Sequence, residues 1–122
     1  MATEKDYAEF FSKLDTEIAG MIAASVVDLE SGMTLAVRSN RQDFDLSTAS
    51  AFNSEMVKMK LKTMKALNLQ SALEDMLLTL SDQIHLIRMV SPTSFVYIAV
   101  DKGKSNLAIV RTVVAKYAGA IA

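Results

Sequence analysis

The sequence predicts an α+β fold in which a five-stranded, largely antiparallel sheet lies between helices. Two long segments with apolar residues every three or four positions frame a hairpin, and three short β-rich segments precede a final helical segment. The turns between neighbouring strands are short, which favours antiparallel pairing because parallel strands need long crossover connections. The last two strands, Ile84–Val90 and Phe95–Val100, carry apolar residues at the positions that point to one face of the sheet and also at those that point to the other. Both faces of the sheet should then be covered, so we place the middle helix on one face and the two terminal helices on the other.

The first half of the chain predicts a helix, a hairpin and a second, longer helix. Phe10, Phe11 and Leu14 recur at helical spacing, and Gly20 follows where that helix is expected to end. Gly32 can adopt the positive φ of a tight turn, so the two β-rich segments around it form a hairpin. The elements predicted for this half are a helix over Thr3–Ile18, strands over Met21–Asp28 and Met33–Arg38, and a helix over Leu46–Leu67.

The second half predicts three strands joined by short turns, followed by a last helix. Asp82 and Gln83 form one turn, and the only proline, Pro92, lies in the next. Ser105 or Asn106 caps the last helix, because short polar side chains accept hydrogen bonds from the free amides of a first turn. The elements predicted for this half are strands over Asp75–Ser81, Ile84–Val90 and Phe95–Val100, and a helix that ends near Ala118.

The middle helix, capped by Asp45 or Ser47, carries two apolar stripes where a surface helix needs one. At about 100° per residue, the two stripes lie roughly 120° apart. One stripe consists of Ala49, Phe52, Met56, Met59 and Leu67, and the other of Leu46, Val57, Leu61 and Met64. Two stripes require two partners, and in so short a chain the second partner is expected to be another copy. Because Phe52, Met56 and Met59 are the bulkier group, we expect them to face the chain's own sheet.

Composition limits the functions that the chain can perform. Its 122 residues are 51% hydrophobic and 22% charged, which predicts a single domain over residues 1–122. A net charge of −1 gives no electrostatic case for binding nucleic acid or an anionic membrane. Cysteine is absent, the first residues are polar and acidic, and the longest nearly apolar stretch, Ile18–Val27, is too short to span a bilayer. We therefore expect a cytoplasmic protein that does not insert into membranes.

The sequence predicts no catalytic centre, metal or cofactor. His85 is the only histidine, so neither a metal site nor a Ser-His-Asp arrangement with a nucleophile elbow is indicated. Gly32 and Gly103 are isolated turn glycines rather than parts of a phosphate-binding motif. The alternative function is a PAS-like small-molecule sensor. It would need a ligand cavity between sheet and helices, and usually several short helices where one long helix is predicted here.

Two segments carry a resemblance to a known family. The hairpin Ala24–Met33 combines an apolar strand, an acidic turn and a glycine, and Asp101 is followed by the helix start Ser105–Arg111. Together with the element order, they resemble the roadblock family, the dynein light-chain type of small fold related to profilin. The resemblance implies strand order 2-1-5-4-3, and dimers with paired middle helices and joined third strands. It also implies scaffolding of dynein chains or of Ras-like small GTPases, as by bacterial gliding-motility regulators that can stimulate GTP hydrolysis.

The residues and the resemblance together predict two surfaces. A homodimer interface is expected on the second stripe of the middle helix and on the third strand, which has no Pro or Lys to protect an edge. Its residues are Leu46, Val57, Leu61, Met64, Met76, Leu78 and Leu80. A GTPase-docking surface is expected at Ser54, Glu55, Lys58, Lys62 and Lys65. The lysines are also explained by a solvated face that keeps an apolar helix soluble.

Overall fold

The structure, a computed structural model, describes residues 2–122, so Met1, the first residue of the predicted domain, lies outside it. Three α-helices and five strands follow one another within these residues in the predicted order. They are α1 (Glu4–Glu17), β1 (Met21–Asp28), β2 (Thr34–Ser39), α2 (Leu46–Ala66), β3 (Asp75–Thr79), β4 (Gln83–Ser91), β5 (Ser94–Asp101) and α3 (Leu107–Ala118), and a short 3₁₀ turn, Gly119–Ile121, follows. β3 is two residues shorter at its end than the sequence predicts, and β4 begins one residue earlier.

The sheet has the order β2-β1-β5-β4-β3, and every neighbouring pair is antiparallel. The predicted fold class and strand order are therefore confirmed. Within residues 2–122, β2 and β3 each pair with one strand only, so they form the two edges of the sheet. The register sets Leu78 of β3 opposite His85 of β4, and Ser25 of β1 opposite Val37 of β2.

Short polar side chains fix the start of each helix. Thr3 and Asp6 form a reciprocal capping box at α1, and the side chain of Asn106 accepts from the N–H of Ile109 at α3. Asp45, one of the two caps predicted for α2, accepts from the N–H of Thr48 at 3.0 Å and from its hydroxyl at 2.6 Å. These hydrogen bonds favour the charged carboxylate, and the Thr48 hydroxyl is the main reason that the pKa of Asp45 is lowered.

Two separate cores lie on the two faces of the sheet. The α1 and α3 helices cover one face, where Phe10 and Leu14 of α1 and Val114 of α3 pack against Leu86 and Ile98. The α2 helix covers part of the other face, which carries a second cluster of buried residues. The predicted placement of the helices is confirmed, and it leaves α2 as the only α-helix of residues 2–122 on its face.

Candidate interaction surface on the middle helix

The orientation of α2 is opposite to the prediction. Leu46, Val57 and Met64 belong to the side of the helix that is buried in the chain itself. Val57 has 0% of its surface exposed and packs in the same cluster as Phe95 and Tyr97 of β5. These three side chains therefore have almost no surface to offer a partner, and assigning them to the dimer interface was wrong. Leu61 keeps some exposure at the edge of this face.

The stripe that was expected to face the sheet points outward instead. Phe52 is 72% exposed and Met59 is 62% exposed, although both are large apolar side chains. Leu67 is also exposed, while Met56 and Ala49 are partly buried at the boundary with the sheet. Thus α2 does carry two apolar stripes, but the bulkier one is left without a cover in this chain.

Small side chains explain this orientation. Ser25 of β1 and Ser50 of α2 are fully buried and lie opposite each other, with their hydroxyl oxygens 3.3 Å apart. Gly32 has a φ of +74° in the hairpin turn, and a Cβ on it would lie 3.4 Å from the Cα of Ala51. The helix therefore approaches β1 through Ser25, Ser50, Ser54 and Gly32, and a ring the size of Phe52 would not fit between these backbones.

Ser54 belongs to this buried contact and not to a docking surface. Its side chain is 1% exposed, and its hydroxyl donates to the carbonyl oxygen of Ser50 at 2.9 Å. The prediction that Ser54 contacts a GTPase is corrected, because a side chain beneath the helix cannot reach a partner above it. The direct packing of α2 on the sheet likewise offers no support for the alternative of a PAS-like sensor.

The other predicted docking residues form a charged flank along α2. Glu55, Lys58, Lys62 and Lys65 follow one another by three or four positions, so they lie on one side of the helix. The Lys58 ammonium donates to the carbonyl oxygen of Glu30 at 2.9 Å and lies 3.4 Å from the Glu55 carboxylate. Lys62 and Lys65 are exposed. We call these four residues the lysine flank.

The edge strand β3 adds apolar side chains on the face that carries α2. Met76 and Leu78 are half-buried and stand opposite Ile87 and His85 of β4. Leu80, just beyond the strand, is 42% exposed. These three predicted interface residues therefore lie where an added strand or helix could cover them. On the opposite face, Asp75 anchors β3 through ion pairs with Arg88 at 3.3 Å and Arg111 at 2.8 Å.

His85 lies in a polar and aromatic cluster between β3 and α2. Its Nε2 is 2.7 Å from the Gln83 side-chain oxygen, and its Nδ1 is 3.2 Å from the Tyr97 hydroxyl. The rings of Phe44 and Tyr97 are stacked with their centres 6.5 Å apart. Burial lowers the pKa of His85 and raises the pKa of Tyr97 to about 12, so both side chains are held neutral near pH 7. No sequence signal identified this cluster, because its members come from three distant segments.

Two features are absent among the described residues. Among residues 2–122, no group of three or more His, Asp or Glu side chains is placed to hold a metal ion. The same residues include no helix with the length and apolar composition needed to cross a bilayer.

Several solved structures share this fold over nearly the whole chain. Myxococcus xanthus MglB has a TM-score of 0.82 at 12% identity, over 99% of this chain and 94% of that one. The gliding protein MglB from Thermus thermophilus has a TM-score of 0.83 at 12% identity, over 99% and 90%. A Roadblock/LC7 domain from Streptomyces avermitilis has a TM-score of 0.79 at 10% identity, over 90% and 89%. No protein-family model and no curated protein matches the sequence. The resemblance seen in the sequence is thus confirmed for the architecture, and the chain has the roadblock fold.

Proposed function

We propose that two copies of this chain form a homodimer through α2 and β3, and that the dimer is a non-catalytic scaffold for a Ras-like small GTPase. One observation carries the proposal. The exposed side chains Phe52 and Met59 of α2, and Met76 and Leu78 of the edge strand β3, lie on the same side of the sheet in a chain with the roadblock fold. Exposed apolar area of this kind and a free strand edge are each typical of an association surface.

A single symmetric contact would cover both features. A two-fold axis beside α2 would set the outward stripe of one copy against the same stripe of the other. The same axis would bring each β3 edge next to its twin, where the free N–H and C=O groups could pair. Met76 and Leu78 would then be covered by the partner's helix. This corrected interface keeps the predicted β3 residues and replaces the buried stripe of α2 with the exposed one.

The lysine flank supports docking of a second protein. Pairing through the outward stripe would leave Glu55, Lys58, Lys62 and Lys65 uncovered on both copies, so the dimer would present the flank twice. A doubled, charged and rigid helical surface is suited to fast and specific docking. The similarity to MglB proteins and the roadblock resemblance suggest that the partner is a Ras-like GTPase.

Stimulation of GTP hydrolysis, if the scaffold provides it, would work by holding the GTPase's own switch segments in place. An arginine finger is the competing mechanism, and this chain's four arginines are poorly placed for it. Arg38 pairs with Asp15 at 3.0 Å, and Arg88 and Arg111 share Asp75 on the face opposite α2. Arg41, 3.8 Å from Asp43 with both side chains exposed, is the most available of the four.

Binding to a Ras-like GTPase from the same genome tests the proposal. The GTPase is loaded with a non-hydrolysable GTP analogue or with GDP, and its affinity for the dimer is measured by calorimetry. We expect Lys62→Glu with Lys65→Glu to weaken binding about tenfold or more. Lys102→Glu with Lys104→Glu, a matched change on exposed lysines outside α2, should leave it unchanged. Equal loss in both double variants would refute the flank as the docking surface, and no binding in either nucleotide state would refute the scaffold.

A separate experiment tests whether hydrolysis is stimulated without an arginine finger. Each arginine is replaced by Ala, and GTP hydrolysis is measured at saturating dimer. Stimulation should survive all four replacements. Loss of stimulation in Arg41→Ala with unchanged binding would establish an arginine finger instead.

A further inference from the structure

An apolar cleft lies beneath the C-terminal end of α2, apart from the proposed dimer contact. Leu61 and Met64 of α2 form one wall, and Leu73, Met89 and Pro92 form the other, so the cleft lies between the helix, the chain leading to β3 and the β4–β5 turn. Its volume is about 440 Å³. A cavity of this size can hold a bulky side chain. The outward stripe and the outer edge of β3 contribute no residue to it.

The rim of the cleft is basic on the α2 side. Leu61 lies three residues after Lys58 and four residues before Lys65, so both lysines are its neighbours on the helix surface. Lys58 is partly neutralised by Glu55 at 3.4 Å. Lys65, in contrast, forms no ion pair within residues 2–122. Lys62, which also forms none, follows Lys58 by four positions and so lies further round the helix from Leu61. An apolar cavity with an exposed lysine at its rim and a second one beyond it is complementary to an apolar group flanked by negative charge.

We propose that this cleft receives one bulky apolar side chain from an acidic segment of the partner protein that docks on the lysine flank. The inference rests on the proposed docking function and states which chemistry the partner presents. The apolar anchor would supply most of the affinity, because a side chain buried in a preformed pocket is the usual centre of a binding site. The flanking carboxylates would pair with Lys62 and Lys65 and fix the direction of the segment.

A second copy of the chain is a poor occupant. The segment Asp43–Asp45 has an acidic-flanked aromatic residue, but the Phe44 ring is already stacked on Tyr97 inside its own chain. Inserting it into another molecule would require the loop before α2 to unpack.

The experiment uses the full chain, labelled on its methionine methyl groups, and NMR. The probe is a five-residue peptide with a central phenylalanine and two acidic residues on each side. Met64 and Met89 line the cleft, whereas Met33 and Met59 lie outside it and serve as internal controls. We expect saturable shifts at Met64 and Met89 only. The same peptide with a central alanine should bind about thirtyfold more weakly. Shifts that are equal at all four methyl groups, or equal with a basic peptide, would overturn the proposal.

Two variants connect the peptide to the cleft. Ala72 is exposed and lines the cavity, so Ala72→Trp should fill it and abolish the Met64 and Met89 shifts. Ala115→Trp, at an exposed position on α3, is the matched control and should bind normally. Lys62→Glu with Lys65→Glu should weaken the peptide about tenfold. If that double variant instead dissociates the dimer, the lysines belong to the dimer contact and the proposal is wrong.

The proposal for the cleft and the proposal for the scaffold can be refuted separately. If the GTPase binds the dimer and Ala72→Trp leaves its affinity unchanged, the docking function stands and the cleft is not used. If the acidic peptide binds the cleft while no Ras-like GTPase binds the dimer, the cleft stands and its partner belongs to another class of protein.

Discussion

The two faces of the sheet differ in how completely this chain covers them. On the α1 and α3 face, Phe10, Leu14 and Val114 are buried, and the two helices are also linked to each other. Glu17 at the end of α1 accepts from the Tyr117 hydroxyl and lies 3.5 Å from the Lys116 ammonium. On the α2 face, Leu46, Val57 and Met64 are buried beside a contact of small side chains, but Phe52 and Met59 are left in solvent.

This difference separates the residues that fold the chain from those that are available for assembly. The α1 and α3 face buries its largest apolar side chains within one molecule. On the α2 face, the outer side of the helix and the edge of β3 are both left uncovered by the rest of the chain. The same kind of side chain therefore has different consequences on the two faces, and that contrast can be tested with matched substitutions.

The largest expected effect is loss of folding on the covered face. Phe10→Ala should destabilise the monomer by about 3–5 kcal/mol, since the ring is buried and its removal leaves a cavity. Phe52→Ala makes the same chemical change on an exposed ring and should alter monomer stability by no more than about 0.5 kcal/mol. Urea unfolding at high dilution, where association is absent, measures both. Similar losses in the two variants would show that α2 packs the other way round.

The next effect concerns assembly. Phe52→Glu with Met59→Glu should raise the dimer dissociation constant about a hundredfold or more, because two charges would enter the centre of the proposed helix pair. Sedimentation velocity over a concentration series measures the change, and circular dichroism should show an unchanged fold. Leu107→Glu, on an exposed apolar residue of α3, is the control and should leave the dimer intact. A dimer unaffected by the double variant would rule out the outward stripe as the interface.

The sequence predicted the elements of this fold better than it predicted the orientation of α2. Helical spacing, the continuous apolar runs of the last two strands and the cap at Asp45 are local signals, and the structure agrees with them. A helical wheel separates two stripes, but it does not say which one meets the sheet. The bulk of Phe52 and Met59 favoured the wrong stripe, since the opposing strand offers Ala23 and Ser25 and leaves no room for them.

A signal for the correct orientation was nevertheless present. Ser50 and Ser54 lie four residues apart on the same side of α2 as Val57, and small residues on one side of a helix allow its backbone to come close to a neighbour. The cluster of Phe44, His85 and Tyr97 had no such signal, because its contacts depend on how distant segments meet. The position of the cleft beneath Leu61 has the same origin, since three separate segments enclose it.

Acid should weaken the α2 face through His85. Burial lowers the pKa of His85 below its ordinary value of 6.5, so the unfolded chain takes up a proton before the folded chain does. The contribution of the neutral His85 side chain to the free energy of unfolding is complete above the pKa of His85 in the unfolded chain. It is lost as the pH falls toward the lower pKa of His85 in the folded chain. Urea unfolding of the monomer at about pH 7.5 and about pH 5.5 should show a loss that His85→Gln reduces.

A second variant checks the cause of this pH dependence. The charge of Asp82 raises the pKa of His85 and so opposes the effect of burial. Asp82→Asn should therefore lower that pKa further and steepen the loss of stability in acid. The carboxylates with lowered pKa values, such as Asp28 and Asp45, titrate at lower pH and should not contribute in this interval. An unchanged pH dependence in His85→Gln would assign the loss to another group.

The smallest expected effect concerns the close approach of α2 to β1. The Ser25 and Ser50 hydroxyls lie 3.3 Å apart and are fully buried, so removing one should leave the other without a partner. Ser25→Ala and Ser50→Ala should each cost about 1 kcal/mol of monomer stability, whereas the double variant should lie within about 0.5 kcal/mol of the parent chain. Chemical denaturation of the monomer in a double-mutant cycle measures the coupling. Near-neutrality of the double variant would mean that the helix needs small side chains here rather than the hydrogen bond, since alanine keeps the close approach. Additive costs would instead mean that each hydroxyl stabilises the contact independently.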